Sequence, residues 1–195
     1  MRPMKKVIIL ILVTIIFNTS CDILNQFGEV KRFAECDFYI HDIQFIKLGG
    51  IDISEYKTAS DFGFSDMIFL GQQILTNELP ATIRVNIEAL NNHTSKAAIS
   101  GLSWKLYMKN EQYGNGELTE YIEIPPSKST IFPVTVEFDF IKLLKSENLQ
   151  SIIDLIVDIE NKEKLKKLDI VLKVKPYYKS GNQIKEYPGY LSIKP

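Results

Sequence analysis

The feature that most constrains this chain is a series of segments in which apolar residues recur at every second position. Ile83, Val85, Ile87 and Ala89 alternate with Thr82, Arg84, Asn86 and Glu88, and Leu102, Trp104, Leu106 and Met108 alternate with Ser103, Lys105 and Tyr107. Val134, Val136, Phe138 and Phe140 form a third row, and Leu168, Ile170, Leu172 and Val174 a fourth. Side chains along a strand point alternately to opposite faces, so this period gives each strand one dry face and one wet face. Dry faces of this kind need a second apolar layer. Turn chemistry bounds the segments at Gly49-Gly50, at residues 91–95, at Lys109-Asn110, at Tyr113-Gly114-Asn115-Gly116, at Pro125-Pro126-Ser127-Lys128 and at Gly181-Asn182. The pattern predicts a mainly β domain, an antiparallel β-sandwich.

The alternation begins at Phe33, with Cys36, Phe38 and Ile40 on one face; the apolar phase then moves to Ile43 and Phe45, which predicts a bulge or a bend into a second strand. Pro80 stands at the start of the clearest strand, Leu79 to Ala89, where its missing N–H costs least. Two segments follow a helical period instead. Met67, Leu70, Ile74 and Leu75 predict a short helix between Ser65 and Thr76, and Leu149, Ile152, Ile153 and Ile156 predict another, with Ser146 as N-cap and Asp154, Asp158 and Glu160 in water. Ile184 to Ile193 should close the domain as the last strand of a hairpin.

Residues 1–20 have a different character. Arg2, Lys5 and Lys6 precede eleven apolar or small residues, Val7 to Phe17, and then Asn18-Thr19-Ser20-Cys21. As a helix the apolar run covers about 16 Å, roughly half of a ~30 Å hydrocarbon core, so it reads as a secretory signal and not a permanent span. The cysteine at the cleavage point resembles the lipobox of bacterial lipoproteins, with Asn18 where that pattern usually has an aliphatic residue. The resemblance implies diacylglycerol modification of the Cys21 thiol, cleavage before it, and firm attachment by two or three acyl chains. The expected organisation is a lipoprotein signal peptide at 1–20, acylated Cys21 and a polar tether at 21–32, and a β-sandwich at 33–195. The implied location is the bacterial cell envelope, membrane-anchored and facing the periplasm.

Loss of residues 1–20 removes three basic residues and takes the formal charge from −1 to −4. Such a mildly acidic surface gives no reason to expect nucleic acid as a partner. The chain is 45% hydrophobic, enough for a real core, and its two cysteines exclude a disulfide scaffold.

The run from Val85 to Phe138 has a recognisable grammar: a strand ending in an Asn-rich turn, a strand carrying an aromatic, a Gly-containing hairpin, a Pro-containing turn and a strongly alternating strand. It resembles the late embryogenesis abundant type 2 family, also described as the water stress and hypersensitive response domain. Where the family usually has Asn-Pro-Asn, this chain has Asn91-Asn92-His93. The resemblance implies an immunoglobulin-like or fibronectin-III-like sandwich of seven strands with a packed helix, an association with desiccation and stress, and no transferable catalytic residues.

A search for chemistry agrees with that implication. His41 and His93 lie in different segments without a Cys or carboxylate at metal-ligand spacing, and no hydrolase, zincin or P-loop motif occurs. Cys36 shares the phase of Phe38 and Ile40 and reads as a buried, inert thiol. Asp37, Asp42, Asp52 and Glu55 read as a solvated face. Asn92-His93-Thr94 matches a glycosylation acceptor, which a bacterial address discounts. Tyr177, Tyr178, Tyr187 and Tyr190 read as a cover for the end of the core. The function expected is therefore a non-enzymatic envelope lipoprotein without cofactor or metal, acting through protein or surface contacts. The alternative is a carrier of lipid or another apolar ligand, with a cavity beneath the helical segments Met67–Leu75 and Leu149–Ile159.

Overall fold

The computed structural model describes residues 25–143, 149–158, 169–180 and 183–194. In chain order its elements are helix α1 (25–34), β1 (Asp37–Leu48), β2 (Ile51–Asp52), α2 (Phe64–Leu75), β3 (Pro80–Leu90), β4 (Ala97–Ile99) and β5 (Gly101–Met108). There follow β6 (Glu111–Leu118), β7 (Ile122–Ile124), β8 (Ser129–Asp139), α3 (Leu149–Val157), β9 (Val171–Ser180), β10 (Gln183–Glu186) and β11 (Leu191–Ile193). One antiparallel sheet has the order β2-β1-β3-β8; the other has β10-β9-β5-β6, with β11 continuing the outer edge beside β9. Their inward rows, including Ile83, Val85 and Ile87 from one and Leu102, Trp104 and Leu106 from the other, share one core. This is the expected antiparallel β-sandwich with packed helices.

The phase shift in β1 is a bulge within one continuous strand. Ile40 pairs with Ile87 and Asp42 with Asn86, so His41 is the extra residue, and the buried side chain after Ile40 becomes Ile43. A second irregularity between Phe45 and Lys47 returns Leu48 to the core. β3 matches its expected bounds closely, and all four of its named inward residues are buried.

Two departures concern the middle of the chain. The stretch from Ile99 to Met108 is not one strand: β4 pairs with β7 in a small separate ribbon, and after Ser100 the chain enters the second sheet as β5. Nor do residues 113–116 form a turn. The hairpin turns at Lys109-Asn110, both with positive φ, and Gly114 and Gly116 lie inside β6. Those glycines supply space. Trp104 lies across its cross-strand partner Gly116, where an added Cβ would stand 2.6 Å from the indole ring. A Cβ on Gly114 would stand 2.8 Å from the Glu137 carbonyl oxygen of β8, so glycine lets an edge of one sheet approach an edge of the other.

The tether expected over residues 21–32 is also corrected, because residues 25–34 form helix α1, with Val30 and Phe33 fully buried. Only two of its residues enter the core, too few to make a helical period visible in the sequence. Phe33 packs against Phe38 and Phe132, closing the end of the sandwich from which β1 leaves. At the far end of β1, α2 and α3 close the other opening with Leu70, Ile152, Ile153 and Ile156. Ser146, Glu160, Leu168 and the Gly181-Asn182 turn lie outside the described residues, as do Cys21 and the signal segment.

Asn91, at the end of β3, is the only buried polar residue in the described core. Its side-chain NH₂ donates to the carbonyls of Ser95 at 3.0 Å, Ile124 at 3.1 Å and Pro125 at 3.2 Å, and its Oδ1 accepts from the His93 N–H at 3.0 Å. Its own N–H reaches the Lys128 carbonyl at 2.9 Å, and the Ser127 N–H reaches the His93 carbonyl at 3.1 Å. One amide thus joins the turn after β3 to the turn between β7 and β8. Without it, several buried carbonyls lose their donors at once. Asn91→Ala should lower unfolding stability by about 2–4 kcal/mol in urea titration, and Asn91→Asp by more, since it points oxygen at oxygen. Gly116→Ala should cost about 1–3 kcal/mol through its clash with Trp104.

Candidate functional site

α2 is capped at both ends. The Asp66 carboxylate accepts from the Gly63 N–H at 3.0 Å and from the Tyr56 hydroxyl at 3.2 Å. At the C-terminus Asn77 takes φ 61°, its N–H bonds to the Ile74 carbonyl, and the Glu78 N–H bonds to the Gln73 carbonyl, a Schellman arrangement. The inner face places Leu70 in the core with Met67 and Ile74 partly buried, and the Gln73 amide donates to the Gly49 carbonyl at 2.8 Å. Gly49 is required there, because φ is 58° and a Cβ would meet Leu70 and Gln73 at 2.9 Å.

Several apolar residues of α2 are exposed instead. Phe64 is 83% exposed, Leu75 88%, Ile68 48% and Phe69 44%. Phe64, Ile68, Gly71 and Leu75 follow a spacing of four, three and four, so they fall within about 60° of one another around the helix. Leu75 thus departs from its expected inward position: at one residue past Ile74 it turns away from the core. The second stripe was readable in the sequence, but with both faces of the helix apolar, only packing decides which one is buried.

The opposite end of the molecule carries a cluster of charges beside the exposed Phe27 and Tyr121. Lys96 lies 3.2 Å from Glu123 and 3.4 Å from Glu29 of α1, Tyr121 donates to Glu123 at 2.9 Å, and Arg32 Nε donates to the Lys96 carbonyl at 2.6 Å. Glu123, and behind it Glu29, hold the Lys96 ammonium well above the ordinary lysine range. The Tyr121 hydroxyl, then Lys96, hold the Glu123 carboxyl below the usual carboxylate range. Beside this cluster is a cavity of about 160 Å³ lined by Gln26, Glu29, Tyr121 and Tyr178 among others, and a smaller one of about 90 Å³ lies between β1 and α3. Both are below the ~300 Å³ at which small-molecule sites begin.

The residues singled out in the sequence are dispersed. His41, on the bulge, is 3.7 Å from Glu88 and 3.9 Å from Asp42, whereas His93 is 3.3 Å from Glu35 at the other side of the Asn91 turn. Asp37 accepts from Asn92, Asp42 from Asn86, and Asp52 from the N–H and hydroxyl of Ser54, so each has its own local donor. Among the described residues no group of three or more His, Cys, Asp or Glu could hold a metal ion. Tyr177 and Tyr178 are buried; the Tyr177 hydroxyl crosses Gly101 and donates to the Leu118 carbonyl at 3.2 Å, and Tyr178 packs edge-on against Phe27 of α1. Tyr187 is partly buried, and Tyr190 is exposed beneath the ammonium groups of Lys105 and Lys175.

The chain matches no protein-family model and no curated protein. Among the solved structures similar to it in part are two of low identity. A protein from Archaeoglobus fulgidus is 13% identical with a TM-score of 0.33, covering 58% of this chain and 82% of its own; AT1g01470 from Arabidopsis thaliana, solved in solution, is 9% identical with a TM-score of 0.34, covering 80% and 74%.

Cys36 precedes β1 and is buried, its thiol donating to the Arg32 carbonyl at 3.3 Å. Burial first, and then the neighbouring Asp37 and Glu35, push the thiol from 9.0 up to about 11. Between those values the folded chain keeps a proton that the unfolded chain has lost, so stability falls as pH rises from about 9 to 11 and is unaffected by this group below 9. Denaturant midpoints across that range should show the fall in the native chain and a shallower one in Cys36→Ala. Alkylation at pH 8 should be slow until the protein unfolds.

Proposed function

We propose that this chain is a non-enzymatic, lipid-anchored envelope protein of the late embryogenesis abundant type 2 kind, which works by protein contact. The observation that carries the reading is the exposed apolar stripe on a helix that is already fully capped. Large apolar side chains on a rigid helix face incur a standing solvation cost and are the usual mark of an interaction surface.

The proposed anchor gives this surface a direction. Cys21 precedes α1 by a few residues, and α1 closes the end of the sandwich where β1 begins. β1 then runs for 12 residues, about 40 Å, to the end where Gly49 meets α2. In this reading a membrane attached through Cys21 lies on the α1 side, and α2 sits at the other end of β1. The resemblance of residues 85–138 to the stress-associated family supports the same reading.

Two experiments test the parts separately. Cys21→Ser should abolish fatty-acid labelling and leave the protein unprocessed; labelling that persists refutes the anchor. Leu75→Lys in the full chain should leave labelling and folding unchanged and reduce recovery of its contacts in whole-cell cross-linking by at least about tenfold. An unchanged cross-link pattern refutes the contact reading.

A further inference from the structure

We infer that the cavity lined by α1 and β4 is a binding site for a small neutral molecule, with an apolar body of about six or seven heavy atoms and a single O–H or N–H donor. The site is independent of the contact surface on α2. α1 brings Gln26, Glu29 and Val30 to the cavity at the i, i+3, i+4 spacing of one helix face. Ala98, Ile99 and Ser100 add the β4 side, and Tyr121 and Tyr178 complete the lining. Val30 and Ile99 are fully buried, and Ala98 is buried at this cavity and not within the sandwich core. Tyr178 is held by its edge contact with Phe27, while Tyr121 is 60% exposed, so its side of the cavity reaches solvent.

The polar groups of the lining are committed elsewhere, with one exception. Glu29 is 3.4 Å from Lys96, the Tyr121 hydroxyl donates to Glu123 at 2.9 Å, and the Ser100 hydroxyl accepts the Lys179 N–H at 3.2 Å. Gln26 Oε1 is buried and has no donor among the described residues. A buried acceptor left unanswered costs free energy, so the occupant that suits this cavity brings a donor. Charge decides that it is neutral. Lys96 and Arg32 stand against Glu29 and Glu123, which leaves no net charge to hold an ion. The volume of about 160 Å³ is too small for a drug-sized ligand but matches the ~150 Å³ at which an apolar cavity takes up benzene. Water alone fits less well, because each molecule needs about three polar partners and the side chains of Val30, Ala98 and Ile99 offer none.

The test uses phenol, which has such a body and donor, and toluene, which has the body alone. The full chain is labelled with 3-fluorotyrosine and carried in lipid nanodiscs, and the Tyr121 and Tyr178 fluorine signals are assigned through Tyr121→Phe and Tyr178→Phe. Phenol should shift both signals saturably. Gln26→Leu, which keeps the helix and the volume but removes the acceptor, should weaken phenol relative to toluene by about tenfold or more. Ala98→Leu, which fills the cavity from the β4 side, should abolish the response to both probes. The fluorine signals of the remaining tyrosines report whether each variant is folded, and Gln26→Met takes the place of Gln26→Leu where leucine disturbs α1. The inference is overturned by the absence of a saturable phenol shift at Tyr121 and Tyr178, by a Gln26 variant that changes phenol and toluene binding alike or changes neither, or by binding that survives Ala98→Leu in the folded chain.

Discussion

The structure depends most on the side-chain amide of Asn91. A β-sandwich made of rows of Ile, Val and Leu has a strong drive to collapse but little to fix how its end loops meet, because apolar contact is non-directional. Asn91 supplies direction. Its fully buried amide answers three backbone carbonyls and one N–H, and the cost of leaving the amide unanswered is what makes one arrangement preferred over its neighbours. Through that junction the turn after β3, the β4–β7 ribbon and the start of β8 hold one geometry. The hydrogen bonds of this turn run through Asn91, the first of its two asparagines.

The strands were legible because period two survives in sequence wherever one face is dry and the other wet. β3 was readable on that basis almost residue for residue, and β8 in its inward row from Val134 to Phe138, although Phe140 lies just past the strand; the phase shift in β1 was visible as a bulge or a bend, since inserting one residue moves the apolar phase. What was not legible had a different cause in each case. Gly114 and Gly116 have the composition of a turn, but they are glycine because Trp104 and the Glu137 carbonyl occupy the space a side chain would need. That is a fact about neighbours distant in sequence. The break at Ser100-Gly101 leaves no mark in an unbroken apolar pattern, because changing sheets preserves the inward face. α1 was read as a tether since only Val30 and Phe33 of its residues are fully buried.

The candidate surface was half legible for a related reason. The sequence of α2 contains two apolar stripes, one through Met67, Leu70 and Ile74 and one through Phe64, Ile68 and Leu75, and periodicity cannot tell which of them meets the core. The docking of α2 is decided by Leu70 against Gly49 and by the Gln73 amide on the Gly49 carbonyl, both long-range contacts. Once that face is committed, the other is left in water by geometry and not by any lack of hydrophobicity.

The two ends of the sandwich differ in a way that bears on the proposed function. The end at α1 satisfies its charges internally: Lys96 is shared by Glu29 and Glu123, and Arg32 caps the Lys96 carbonyl. A surface so neutralised has little charge to offer a partner. The end at α2 has the opposite balance, with an unshielded apolar helix held rigid by its caps. Rigidity matters to a weak interface, because ordering a flexible segment on binding would take up most of the modest free energy a few apolar side chains can supply. The capping by Asp66 and Asn77 removes that cost in advance, and so links the local chemistry of one helix to the ability of a small surface to act at all.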